Sequence, residues 1–149
     1  HLKLHLLMFR EVLQGKIHQA TVTEADVNYV GSITIDVDLM ERAGFWPGQK
    51  VLVVSNTSGA RLETYVIEGE RESGRIGMNG AAAHLINAGE EIIIIGFCFS
   101  EKPIEPKAIL VDKKNRFVKE LLACLCEKRL QHGDRLFFSD TGGNFALMV

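Results

Sequence analysis

A glycine followed by a serine, Gly31-Ser32, stands between Asn28-Tyr29-Val30 and the β-rich run Ile33-Thr34-Ile35-Asp36. The pair puts a hydroxyl beside the least hindered carbonyl a chain can offer. With no Cβ, glycine reaches backbone angles closed to other residues and leaves its carbonyl open to close approach. Attack of the Ser32 hydroxyl on the Gly31 carbonyl would convert that amide to an ester. Elimination from the ester leaves dehydroalanine, which hydrolyses to a pyruvoyl group on a new N-terminus. The chemistry in view is self-cleavage that makes an electrophilic cofactor from the chain itself. Gly-Ser alone is a common turn pair, so this reading depends on its surroundings.

Those surroundings hold several separated motifs in order. They are Leu13-Gln14-Gly15-Lys16-Ile17-His18, Val22-Thr23 with Ala25-Asp26, Tyr29 with Gly31-Ser32 and Ile35-Asp36, then Asn56, Gly59, Arg61 and Thr64-Tyr65, then Asn79-Gly80-Ala81-Ala82-Ala83-His84, and the strand-like Glu91 to Phe97. Matching spacing at so many sites is a specific signal. On these residues the chain resembles the pyruvoyl-dependent aspartate decarboxylase family over about residues 8–118. Val30 departs from the pattern where some members carry Glu, and Val54 and Ala60 replace polar or aromatic residues. None of the three removes a group that the chemistry needs.

The resemblance implies a six-stranded double-psi β-barrel, a topology that periodicity alone does not reveal. It implies loss of the α-carboxylate of L-aspartate to give β-alanine and carbon dioxide, in pantothenate and coenzyme A biosynthesis, through a Schiff base on a pyruvoyl group derived from Ser32. It also implies a homotetramer with active sites between neighbouring subunits. Cleavage without help and cleavage with an accessory maturation factor both stay open.

Decarboxylation leaves an electron pair on the substrate Cα, so the site needs an electron sink, groups that orient the substrate and a proton donor. Arg61 is the best candidate to hold a carboxylate, because guanidinium offers a rigid fork of donors; decarboxylation favours placing it on the side-chain carboxylate. Lys16 supplies a second cation by similarity, although an isolated lysine is ordinarily solvated. Tyr65, four residues after Arg61, points to the same strand face, and the resemblance makes it the proton donor. Thr64 faces the other way, and the resemblance has it polarise the Gly31 carbonyl during cleavage. Asn79 with Gly80 offers an amide and backbone donors suited to an oxyanion, though Asn79 serves equally well as a helix cap. Ala81 and Ala82 leave room for substrate. His18 and Tyr29 resemble residues lining the same site; a lone histidine is more often structural, and His84 is excluded from catalysis.

The elements that must carry these residues are short β segments: Val12 to Val22 broken by a charged stretch, Ile33 to Val37, Lys50 to Ser55, Arg61 to Glu68, Ile76 to Met78, Glu91 to Phe99 and Ala108 to Val111. Asn56-Thr57-Ser58-Gly59 reads as a hairpin turn. Asp38 to Ala43 reads as a short helix with an acidic start and a stop at Gly44, and Asn79 to Ile86 as a second. Phe117 to Leu130 reads as an amphipathic helix, and Asp134-Phe138 with Asn144-Val149 as a hairpin. Residues 1–7 read as a leader before an initiator Met8, residues 8–118 as the decarboxylase barrel, and residues 119–149 as an extension without an assigned role.

Composition fits one domain of 149 residues, 46% hydrophobic and 24% charged. A net charge of -2 gives no basic field, so nucleic acid and membrane are not expected partners. Cys98, Cys124 and Cys126 lack paired metal spacing and read as reduced, buried thiols; no metal is expected. No apolar run reaches the ~18 residues of a membrane span, and the cytoplasm is the expected compartment. The rival readings are a pyruvoyl enzyme for another amino acid, a non-enzymatic double-psi barrel that binds ligands, and a small β-barrel DNA regulator, which should carry a basic face.

Overall fold

A computed structural model describes residues 7–121 together with the short segments 138–139 and 145–146. The chain runs β1 (Arg10–Thr21), β2 (Glu24–Asp26), β3 (Ser32–Asp36), α1 (Val37–Ala43), β4 (Lys50–Ser55), β5 (Arg61–Gly69), β6 (Ile76–Asn79), a 3₁₀ turn (Gly80–His84), β7 (Glu91–Ser100), β8 (Lys107–Val111) and β9 (Phe117–Leu121). Nine strands form one hydrogen-bonded order, β2-β6-β3-β5-β4-β7-β1-β8-β9. The mainly β class read from the sequence is therefore what the chain adopts.

The order curls around a single core. Val22 N–H donates to Glu90 O at 2.9 Å and Thr23 N–H to Ile76 O at 2.8 Å. The chain leaving β1 thereby ties the approach to β7 to the start of β6. Ile17, Ile33, Ile35, Val51, Val53, Val66, Ile76, Met78, Ile92, Ile94 and Ile109 fill the interior. β-Branched residues suit these positions because their stiff side chains pack on a pleated surface. β4 shows the alternation plainly: Val51, Val53 and Ser55 are buried, while Lys50 is exposed and Leu52 and Val54 are half-buried. β3 is buried at all five residues, as befits a strand flanked on both edges by β5 and β6.

Helix α1 ends as its sequence predicts. The Asp36 carboxylate caps its start by accepting from Asp38 N–H at 2.9 Å, and the same carboxylate accepts from Glu72 and Gly74 N–H. Gly44 closes the helix at φ 70°, an angle that favours glycine.

Three expectations change. β1 is unbroken over twelve residues; register shifts between Leu13 and Gly15 and between Ile17 and Ala20 absorb the irregular stretch. Phe117 to Leu121 is a strand, because the open edge of β8 gives its backbone antiparallel partners from Ala108 to Val111. Spacing alone fits both forms there, since Phe117 and Leu121 meet a helical period while Phe117-Val118 suits a strand. The remainder of that expected helix lies outside the described residues, as do Cys124 and Cys126. Cys98 is a free thiol, half-buried where burial was expected. The expected terminal hairpin is present as β10 (Phe138–Ser139) paired antiparallel with β11 (Phe145–Ala146).

Candidate active site

Ser32 opens β3 directly opposite Asn79, the last residue of β6. That register brings their side chains together. Asn79 Nδ2 donates to Ser32 Oγ and to Thr34 Oγ1, both at 2.9 Å. Ser32, Thr34 and Asn79 are 1%, 4% and 5% exposed, so these bonds form out of reach of competing water and hold the serine hydroxyl in one place. Asn79 does not cap the following 3₁₀ turn with its side chain; its amide is committed to the two hydroxyls. Thr34 was not read from the sequence as a site residue. The signal was available, because residues two apart on a strand share a face.

Beside Ser32 lies a recess of about 230 Å³ lined by Gly31, Ser32, Leu62, Glu63, Thr64, Asn79, Ala81, Ala82 and Leu85. Thr64 and Gly31 thus border one space, and the small Ala81 and Ala82 keep it open. Gly31 itself corrects an expectation. Its φ lies outside the left-handed region, and a Cβ there would meet nothing nearer than Asn79 O at 3.9 Å. The tight glycine is Gly80, at φ 66°, where an added Cβ would lie 2.7 Å from Gly31 Cα.

The other expected residues stand apart from this recess within the one chain. Along β5, Arg61, Glu63 and Tyr65 are exposed while Leu62 and Thr64 are half-buried. Arg61 and Tyr65 therefore share a face, as their spacing predicts, and Thr64 takes the other. Among the described residues no carboxylate lies within ion-pair distance of Arg61, which leaves its fork of donors open. Tyr29 sits exposed in the turn before Gly31. Lys16 and His18 lie on β1, which β4 and β7 separate from β5. His18 Nδ1 is buried without a hydrogen-bond partner. Burial, followed by the positive charge of Lys16, lowers the His18 pKa against the opposing pull of Glu91, which favours the neutral imidazole.

Half of the Leu13-Gln14-Gly15-Lys16 motif turns out to be architectural. Gln14 Nε2 donates to Ala43 O at 3.2 Å and Gly44 O at 2.9 Å, and Gln14 Oε1 accepts from Gln49 Nε2 at 3.0 Å. A Cβ on Gly15 would sit 2.0 Å from Ala43 O. The pair docks the end of α1 on β1, with the Phe45 ring over Gly15 and Gly96. Among the described residues no group of three His, Cys, Asp or Glu is placed to hold a metal ion.

A mainly β fold thus holds the buried Ser32, next to Gly31, under the Asn79 amide. The chain belongs to the aspartate decarboxylase family, whose model matches residues 8–118. Proteins named aspartate 1-decarboxylase are close relatives. That of Neisseria meningitidis is 54% identical over 113 residues, covering 73% of this chain and 89% of the relative. That of Caldicellulosiruptor saccharolyticus is 52% identical over 128 residues, covering 80% and 100%. Aspartate 1-decarboxylase 1 of Frankia casuarinae is 51% identical over 117 residues, covering 76% of each.

Proposed function

We infer that this chain decarboxylates L-aspartate at its α-carboxylate to β-alanine and carbon dioxide, with a pyruvoyl group made from Ser32 as the electron sink. The observation that carries the reading is the buried bond from Asn79 Nδ2 to Ser32 Oγ, next to a recess bordered by Gly31 and Thr64. The residues fit the group. A small recess bordered by Ala81, Ala82, Thr64 and the Asn79 amide has room for a three-carbon ketone at Ser32.

Ser32 Oγ bonds to the Gly31 carbonyl carbon while the Gly31–Ser32 C–N bond breaks and its nitrogen takes the hydroxyl proton. Loss of the Ser32 Cα proton then breaks the Cβ–Oγ bond and releases Gly31 as a carboxylate. Hydrolysis of the resulting dehydroalanine consumes one water and frees ammonia. Thr64, across the recess, polarises the Gly31 carbonyl in the first step.

A pyruvoyl group at Ser32 would supply the sink for the electron pair left behind when carbon dioxide departs. Arg61 grips the side-chain carboxylate of aspartate through its donor fork, and Lys16 adds a second positive charge. Tyr65 returns a proton to the substrate Cα. Asn79, freed from Ser32 Oγ when that oxygen leaves with Gly31, turns its amide to a substrate oxygen, and Gly80, Ala81 and Ala82 bound the substrate. His18 and Tyr29 line the outer part of the site.

The separation of Lys16 and His18 from Arg61 and Tyr65 in one chain supports assembly from neighbouring copies, with a homotetramer as the proposed form. The inner strands are proposed to follow the double-psi topology, a reading supported by the parallel pairing of β3 with β5. The β-alanine product supports a role in pantothenate synthesis, and the cytoplasm is the proposed compartment. No helix among the described residues is long and apolar enough to cross a membrane.

Denaturing mass spectrometry and a β-alanine assay test this reading together. The wild-type protein is expected as two chains split after Gly31, active on aspartate, and Ser32→Ala as one uncut, inactive chain. Activity recovered from Ser32→Ala overturns the pyruvoyl reading. A wild-type preference for another amino acid would favour the rival pyruvoyl enzyme.

A further inference from the structure

We propose that Gly80 positions the Gly31–Ser32 bond for self-cleavage, by laying its bare Cα against the backbone of Gly31. The inference rests on the reading of Ser32 as the pyruvoyl precursor and adds a control point to it. A Cβ on Gly80 would lie 2.7 Å from Gly31 Cα, 2.8 Å from Gly31 N and 2.9 Å from Tyr29 O. All three atoms are backbone, so none can swing aside as a side-chain tip would. The contact is one-sided, because a Cβ on Gly31 would make only an ordinary contact, with Asn79 O at 3.9 Å.

Two consecutive residues therefore hold the two halves of the reacting pair. Asn79 fixes the nucleophile through Ser32 Oγ, and Gly80 fixes the acyl donor through the Gly31 backbone. Attack requires the hydroxyl oxygen to come within about 3–3.5 Å of the carbonyl carbon in an aligned approach. Any side chain at position 80 must push Gly31 away while Asn79 still anchors Ser32, so the two reacting atoms separate. A misplacement of about 1 Å costs on the order of 100-fold in rate.

The φ of 66° at Gly80 adds strain of its own to any substitution. Gly48, at φ 79° with nothing within 4 Å of an added Cβ, isolates that strain. The test follows the appearance of the two cleaved chains by intact mass in freshly purified wild type, Gly80→Ala and Gly48→Ala, with a thermal melt of each. The expected result is a folded Gly80→Ala protein that cleaves about 100-fold more slowly than wild type, and a Gly48→Ala protein that cleaves at the wild-type rate. Wild-type cleavage by Gly80→Ala overturns the proposal, and so does equal slowing in Gly48→Ala. A Gly80→Ala chain that does not fold also overturns it, since the glycine would then serve the fold. If wild type itself stays uncut, the pyruvoyl reading fails instead, so the two failures are distinct.

Discussion

Gln14-Gly15 and Asn79-Gly80 are built alike, an amide side chain followed by a glycine pressed against another backbone, yet one clamps a helix end and the other a serine hydroxyl. Gln14 bonds two carbonyls and the amide of Gln49, groups with no proton to exchange near pH 7. Its glycine faces Ala43 O at the end of a helix. Asn79 instead bonds two hydroxyls, one of them next to a glycine carbonyl, and its glycine faces that same glycine. The difference lies in the partner. An amide makes a good clamp anywhere, and it becomes part of a reaction only when the group it clamps can act as a nucleophile.

The comparison sharpens most at Tyr65, which lies outside both clamps on the exposed face of β5. Tyr65→Phe should leave chain cleavage and melting unchanged while turnover of aspartate falls about 100-fold, the usual contribution of a positioned proton donor. Intact mass and β-alanine release measure the two effects separately, and near-normal turnover removes Tyr65 from the mechanism.

Gly15→Ala probes the scaffold clamp. The added methyl meets the Ala43 carbonyl, so β1 or α1 must shift, at a cost of about 1–3 kcal/mol typical of overpacking. The protein should melt earlier, but its folded molecules should cleave at the wild-type rate. Slowed cleavage in the folded fraction would break the division between clamp and reaction.

A smaller effect is expected at Glu90, 8% exposed, whose carboxylate ties Ser55 and Ser58 of the β4–β5 hairpin to Asn87 in the loop before β7. The Ser55 hydroxyl, followed by the Asn87 backbone N–H, lowers its pKa below the ordinary 4.5. A carboxyl whose pKa is depressed by folding adds stability above its unfolded pKa and loses it as pH falls through the folded value. Glu90→Gln should therefore be less stable at pH 7, by about 1.5–3 kcal/mol at most for bonds to a charged group. The gap from wild type should shrink as the pH is lowered below about 4.5. Denaturant melts across pH check this, and a gap that does not change with pH would exclude the carboxylate as the stabilising form.

The β segments were legible because short β-branched runs such as Val51 to Val54 on β4 are bounded by turn formers such as Asn56 to Gly59, and α1 because Asp38 and Gly44 mark its acidic start and its stop. The Phe117–Leu121 strand was not legible. Its form depends on an open edge at β8 that local sequence does not describe. Of the candidate site, Gly31-Ser32, Asn79 and the shared face of Arg61 and Tyr65 could all be read, since residue type and strand period are local properties. Thr34 shares a strand face with Ser32, but that face alone does not show that Asn79, 45 residues away, would bond both hydroxyls.

The sequence by itself determined the family and the mainly β class, and it singled out Gly31-Ser32 as the candidate reactive pair, because motif spacing and side-chain alternation are written along one dimension. Only the tertiary structure decided which glycine is constrained and which amide is committed to the nucleophile. Steric exclusion at Gly80 comes from the Gly31 backbone 49 residues away along the chain, and no pattern of neighbouring residues encodes a distance between backbones that meet only on folding.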